Sequence, residues 1–284
     1  MTVTQNSKKD HWSSKAYNTS ASFVPKLATT VYSYLDPQPT DSILDIGCGD
    51  GPLTAQIAGA VSSGRVLGLD ASPSMIQTAQ KDYAPSKHPN LIFQVADCTK
   101  LSKEVPEVLD GSFDKVFSNA AYHWILRNPE TRKDVFSDAF KALKPGGSLV
   151  FEMGGAGNVA EVRSTIIAAL AMHGVLLDEA RKADPWFFPS EKWISAMLED
   201  VGFQVERVEL EYRPTRLTDH DEGGLEGWVR LFGAQLLETV SELTRAEVVR
   251  WVVEVLRSSC QREEDGSWWI GYVRLRAVAK KPQH

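Results

Sequence analysis

The run Leu44-Asp45-Ile46-Gly47-Cys48-Gly49-Asp50-Gly51, with Gly68-Leu69-Asp70 further on, constrains this chain more than any other feature. Ser42 to Ile46 reads as a short apolar strand. The glycines after it allow a tight turn and a close approach of backbone to ligand, with no Cβ between them. A helix is expected to begin at once, because Pro52 suits a first-turn position where its missing N–H leaves no bond unmade. A second strand, Arg65 to Leu69, ends in Asp70, whose carboxylate can accept hydrogen bonds from the vicinal hydroxyls of a ribose. Together they predict a βαβ unit that holds a nucleoside.

The spacing of the glycines narrows the ligand. A dinucleotide fingerprint is GxGxxG, with its third glycine inside the helix, and a phosphate loop ends in Lys-Ser/Thr. Here the pattern is DxGxGxG, one residue shorter, with no such Lys, which excludes a phosphate loop and disfavours, as an alternative class, a Rossmann-type oxidoreductase. Downstream, Leu91 to Val95 is strand-like and delivers Ala96-Asp97-Cys98, and Phe113 to Phe117 leads into Ser118-Asn119-Ala120-Ala121. Val135, Phe136, Ala139, Phe140 and Leu143 recur at helical steps. Lys144-Pro145-Gly146-Gly147 is expected to stop that helix with a left-handed glycine cap, before a strand at Ser148 to Met153. Alternating strands and helices of this kind build a parallel sheet covered on both faces, with ligands at the carboxyl ends of the strands.

In this order the motifs resemble those of class I S-adenosylmethionine-dependent methyltransferases. The resemblance implies an α/β fold: a seven-stranded, mostly parallel, Rossmann-like sheet with helices on both faces, its last strand antiparallel, plus helical lid insertions. It implies S-adenosyl-L-methionine as cofactor, with Asp45 at the methionine end, Asp70 on the ribose and Asp97 near the adenine amino group. The cofactor residues it implies are Tyr17, Asp45, Gly47, Cys48, Gly49, Gly51, Asp70, Ala71, Met75, Ala96, Asp97, Cys98, Asn119 and Ala120. Asn119-Ala120-Ala121-Tyr122-His123-Trp124-Ile125, the early Trp12 and Tyr17, the late Gly227-Trp228-Val229 and a strand ending Arg276-Ala277-Val278-Ala279 resemble the trans-aconitate methyltransferase group, which are small-molecule carboxyl O-methyltransferases. Gly154 to Gly157 and Trp186-Phe187-Phe188 depart from that group and alter the wall and lid of the acceptor pocket. The expected acceptor contacts are Trp12, His123, Trp124, Trp186, Trp228 and Arg230.

Sparse catalytic machinery is consistent with this chemistry. A sulfonium methyl is already activated, so transfer needs chiefly an acceptor held in line. A carboxylate acceptor is ionised near pH 7 and needs no base, whereas a phenol or thiol benefits from one. His123 stands in a motif position as the candidate catalytic group, and its alternative role is to pack beside Trp124. Arg213, Arg216 and Arg230 could clamp a carboxylate or simply face solvent. N-, S- or phenolic O-methylation is an alternative, and a non-catalytic cofactor-binding regulator is an alternative of another class.

The chain of 284 residues, with a formal charge of -6, lacks the basic excess expected of a nucleic-acid partner. No stretch approaches the ~20 apolar residues of a bilayer span. Cys48, Cys98 and Cys260 show no metal-ligand spacing, and the polar Met1 to Asp10 is unlike a secretory leader, so a cytoplasmic protein without metal is expected. The expected partner is a small methyl acceptor, and the expected state a monomer or weak homodimer. Three segments are expected: a helical lid at 1–40 containing the apolar face Phe23 to Leu35, a cofactor core at 41–154, and lid insertions with the last two strands at 155–284. Within the last, Asn158 to Glu179, Trp193 to Asp200 and Leu225 to Cys260 read as helical, and Phe203 to Tyr212 and Trp268 to Ala277 as strands.

Overall fold

A computed structural model describes residues 28–218 and 223–283. The expected seven-stranded sheet is present, in the order β3-β2-β1-β4-β5-β7-β6. Its strands are β1 (Ser42–Ile46), β2 (Arg65–Asp70), β3 (Leu91–Val95), β4 (Phe113–Asn119), β5 (Leu143–Gly154), β6 (Gln204–Arg216) and β7 (Trp269–Lys280). All five residues of β1 are buried, as its unbroken apolar run requires of a strand covered on both faces. β1 pairs in parallel with both β2 and β4, and β7 runs antiparallel to both of its neighbours, β5 and β6. The order reverses between β1 and β4, which opens a crevice at the carboxyl ends of those two strands.

Helices α1 (Thr29–Leu35), α2 (Pro52–Ala60) and α3 (Pro73–Asp82) cover one face, where Val31, Leu35, Ile57 and Ile76 pack on Ile43, Val66 and Phe117. Pro52 occupies the first turn of α2 as expected. The other face buries Val135, Phe136 and Ala139 against Leu149 and Phe151. The helix carrying these residues ends differently from the sequence expectation. It stops at Ala142, and Leu143 turns directly into an extended conformation. Its terminal carbonyls are met by a remote ammonium, Lys281 Nζ, at 2.9 Å from the Phe140 oxygen and 2.7 Å from that of Leu143. Gly146 has a φ of 79° and serves instead the strand turn that lets its N–H reach the Lys281 carbonyl.

A third cluster forms a helical cap over the crevice. The expected helix from Asn158 to Glu179 is two, Ala160–Met172 and Leu177–Ala183, because Gly174 takes a φ of 90° between them. Leu225 to Cys260 is likewise divided, into Gly224–Phe232, Ala234–Leu237 and Glu242–Cys260. No helix among the described residues is long and apolar enough to cross a membrane, and no metal-binding cluster occurs among them.

Candidate active site

The crevice deepens into a cleft of about 1140 Å³, floored by the carboxyl ends of β1, β2 and β4 and roofed by the cap. At one end the glycine turn and Asp70 are tied together. The Asp70 carboxylate accepts the Gly49 N–H at 3.0 Å through one oxygen and the Ser72 N–H at 2.8 Å through the other. The carboxylate lies in the lining of the cleft, at the carboxyl end of β2. The glycines are not equivalent. A Cβ on Gly49, whose φ is 57°, would enter open space in the cleft, whereas one on Gly51 would lie 2.6 Å from the Phe93 ring. Gly49 is therefore a cradle position, and Gly51 serves packing beside α2.

Asp45 lies deeper, only 3% exposed, with Thr54 Oγ1 donating to it at 2.7 Å. Burial raises its carboxyl to about 7; the Asp70 charge adds to the rise and the Thr54 bond opposes it. Burial also pushes the thiols of Cys48 and Cys98 upward, with the neighbouring Asp70 adding to it, so both are unreactive small walls of the cleft. Asp97 lines the far end, where its carboxylate is held by the Thr99 N–H and hydroxyl and by Lys100. Asn119 ends β4, and its Oδ1 is buried without a hydrogen-bond partner. Ala120 follows at a φ of 56°, a left-handed conformation that costs an L-residue about 1–2 kcal/mol and is typical of sites whose surroundings enforce it.

His123 stands beyond this turn, 7% exposed. Its Nδ1 accepts the Gly154 N–H at 3.3 Å, so the neutral ring carries its proton on Nε2. Burial, assisted by the positive charge of Arg274, pushes the imidazole down to about 3. The main chain around it is clamped as well, since the Phe187 N–H donates to the His123 carbonyl at 2.9 Å. The proline-bracketed turn alternates its aromatic rings: Trp186 and Phe188 line the cleft, while Phe187 lies 3.4 Å from the Arg132 guanidinium, away from it. Trp186 meets Trp124 at 5.7 Å and Trp228 at 5.9 Å between ring centroids. Trp228 Nε1–H donates to Tyr272 Oη at 2.7 Å. A side chain on Gly154 would collide with Phe188 at 2.5 Å, so the glycine that ends β5 admits that ring beside His123.

The structure thus gathers Asp45, Gly47, Cys48, Gly49, Asp70, Ala71, Met75, Asp97, Cys98, Asn119, Ala120, His123, Trp124, Trp186 and Trp228 around one cleft. Gly51 and Ala96 stand behind its wall; the Ala96 N–H is bonded to the Asp70 carbonyl at 2.9 Å. Arg230 departs from expectation. It stands half-exposed on the cap, outside the lining of the cleft, and pairs at 2.8 Å with Glu226 one helical turn away, an i, i+4 partner on its own helix. Trp12 and Tyr17 lie outside the described residues. Sequence reasoning missed Arg274, which lines the cleft from β7. Its signal was a pair of arginines two residues apart, Arg274 and Arg276, in an otherwise apolar strand.

Residues 43–147 match the family model for a methyltransferase domain. Over 275 residues the chain is 37% identical to an uncharacterized methyltransferase of Schizosaccharomyces pombe, covering 96% of this chain and 99% of that relative. The chain belongs to the class I S-adenosylmethionine-dependent methyltransferases. Over 262 residues this methyltransferase is 27% identical to the trans-aconitate 2-methyltransferase of Deinococcus radiodurans, spanning 90% and 93% of the two chains. Its fold matches the crystal structure of a proposed methyltransferase from Bacillus halodurans with a TM-score of 0.61, at 17% identity, over 90% of this chain and 99% of the other. The methyltransferase takes S-adenosylmethionine as cofactor.

Proposed function

We propose that this methyltransferase converts a small carboxylic acid to its methyl ester. The observation that carries the proposal is His123: a neutral ring whose Nδ1 is already engaged offers the cleft an N–H donor and no base. A carboxylate is the acceptor that needs a donor to orient it and nothing to deprotonate it. The similarity to a protein named trans-aconitate 2-methyltransferase supports the same reading.

The residues present fit the cofactor. The open space at Gly49 lets backbone approach a nucleoside, and Asp70 offers lone pairs to ribose hydroxyls. Asp45 and the orphaned Asn119 Oδ1 both line the cleft and, with Asp45 ionised, present acceptors suited to an ammonium group. When bound, the cofactor supplies a methyl group on a positively charged sulfur. Trp124, Trp186 and Phe188 form an apolar wall beside the acceptor and exclude water. His123 Nε2–H orients one carboxylate oxygen. The other oxygen would be left free as the nucleophile toward the methyl group that the cofactor would supply, and no residue of the chain would have to take a proton.

The test is methyl transfer from labelled S-adenosylmethionine to a panel of acids, phenols, thiols and amines that includes trans-aconitate. A methyl ester releases its label as methanol in mild alkali, whereas N-, S- and aryl-ether products do not. An alkali-labile product is expected; an alkali-stable one from the best acceptor refutes the proposal.

A further inference from the structure

Arg274 lines the cleft and has no hydrogen-bonded counter-ion among the described residues. It projects from β7 opposite Gly154, is 3% exposed, and its Nε is buried with no hydrogen-bond partner. The nearest carboxylate, Glu152, is already engaged: its Oε2 takes Arg276 Nε at 2.6 Å, and its Oε1 takes Arg213 Nη2 at 3.4 Å. Arg274 Nε stands 3.7 Å from the same Oε1, beyond hydrogen-bond length. Glu209 and Glu211 do not relieve it, since both bond to Arg276. The guanidinium carbon lies 4.5 Å from the centre of the Tyr272 ring, a contact that satisfies none of its N–H donors. Tyr272 is itself held by Trp228.

The cleft therefore carries two orphaned atoms of opposite kind. Asn119 Oδ1 lacks a donor at the cofactor end, and Arg274 Nε lacks an acceptor where the aromatic cap closes over the cleft. A guanidinium presents a planar fork of N–H groups, which a carboxylate can meet with two parallel bonds. We infer that Arg274 is the specificity-determining residue of the acceptor pocket, receiving a carboxylate of the acceptor and rejecting its neutral isosteres. This deepens the carboxyl-methylation reading and rests on it for the acceptor's charge.

The experiment follows the intrinsic fluorescence of the tryptophans around Arg274 while benzoate or benzamide is added to the full chain saturated with S-adenosylhomocysteine. The two probes share shape and differ in charge. The wild-type protein is expected to bind benzoate about tenfold or more tightly than benzamide, the scale of one charge-assisted bond pair. Arg274→Met is expected to reduce that preference to about twofold or less, with Arg274→Lys intermediate because a point charge replaces the fork. Unchanged affinity of both variants for S-adenosylhomocysteine reports intact folding. If Arg274→Met does not bind it, the wild-type comparison of acid with amide decides alone. Equal wild-type affinities, no saturable benzoate binding, or a preference that survives in a folded Arg274→Met overturns the inference. An alkali-labile product without charge selection defeats this inference and leaves the carboxyl reading standing; charge selection with an alkali-stable product does the reverse.

Discussion

Replacing His123 by Gln separates positioning from base catalysis. At pH 7, a ring titrating at about 3 is neutral in all but about one molecule in ten thousand. Using it as a base means populating an imidazolium four units above its pKa, a penalty of about 5 kcal/mol at 1.36 kcal/mol per unit. The bond from the Gly154 N–H to Nδ1 adds to this, because the nitrogen able to take a proton is the one already engaged. What His123 can supply is one neutral donor bond, a net of about 0.5–1.5 kcal/mol. Glutamine retains a donor, so His123→Gln should lower kcat/KM by about tenfold or less, equally across pH 5 to 9. A general base is worth about 10²–10⁴-fold, and its loss is relieved as alkali ionises the acceptor. The assay is the pH–rate profile of wild type and variant with the best acid in the panel. A loss above about a hundredfold that shrinks toward high pH refutes the argument.

Asp70→Ala should lower affinity for S-adenosylmethionine by about a hundredfold or more, since two charge-assisted bonds at about 1.5–3 kcal/mol each disappear; Gly49→Val should do comparable harm by filling the cradle. Calorimetry showing unchanged affinity in either variant contradicts the placement. The raised Asp45 carboxyl makes cofactor binding pH-dependent: affinity should increase as pH rises through about 7, where that carboxyl becomes anionic, and Asp45→Asn should abolish that slope. Without cofactor the sign reverses. A carboxyl whose folded pKa is raised from 3.8 to about 7 contributes stability that is fully present below the unfolded value and lost as pH rises through the folded one. Wild type should therefore lose about 3 kcal/mol relative to Asp45→Asn between pH 4 and 7, measured by urea unfolding.

The parallel half of the sheet was legible because each strand there is an apolar run delivered to a motif, and the glycine turn, Asp70, Asn119 and His123 lie where such strands end. Less was legible where a contact comes from far along the chain. Pro145 and two glycines gave a local reason to expect a glycine cap, yet Lys281 meets the carbonyls from the other end of the chain. The three turn glycines look alike in sequence, and only the position of the Phe93 ring assigns Gly51 to packing. Arg230 carried a plausible ligand chemistry and proved to be neutralised by Glu226 on its own helix. Arg274 escaped notice because its importance lies in a deficit: three arginines surround Glu152, and counting partners requires knowing that β5, β6 and β7 lie side by side.

The placement of β7 has a consequence for synthesis on the ribosome. Among the described residues β6 pairs with β7 and with no other strand, over a register running from Gln204 opposite Lys280 to Arg216 opposite Trp269. The ribosome releases β6 first, so during translation that strand has no sheet to join until the cap helices and β7 have followed. The same late arrival delivers Tyr272 and Arg274, so a nascent chain can assemble its glycine turn and Asp70 well before the opposite wall of the cleft exists. The strand-end half of the cleft thus precedes the half that carries Tyr272 and Arg274.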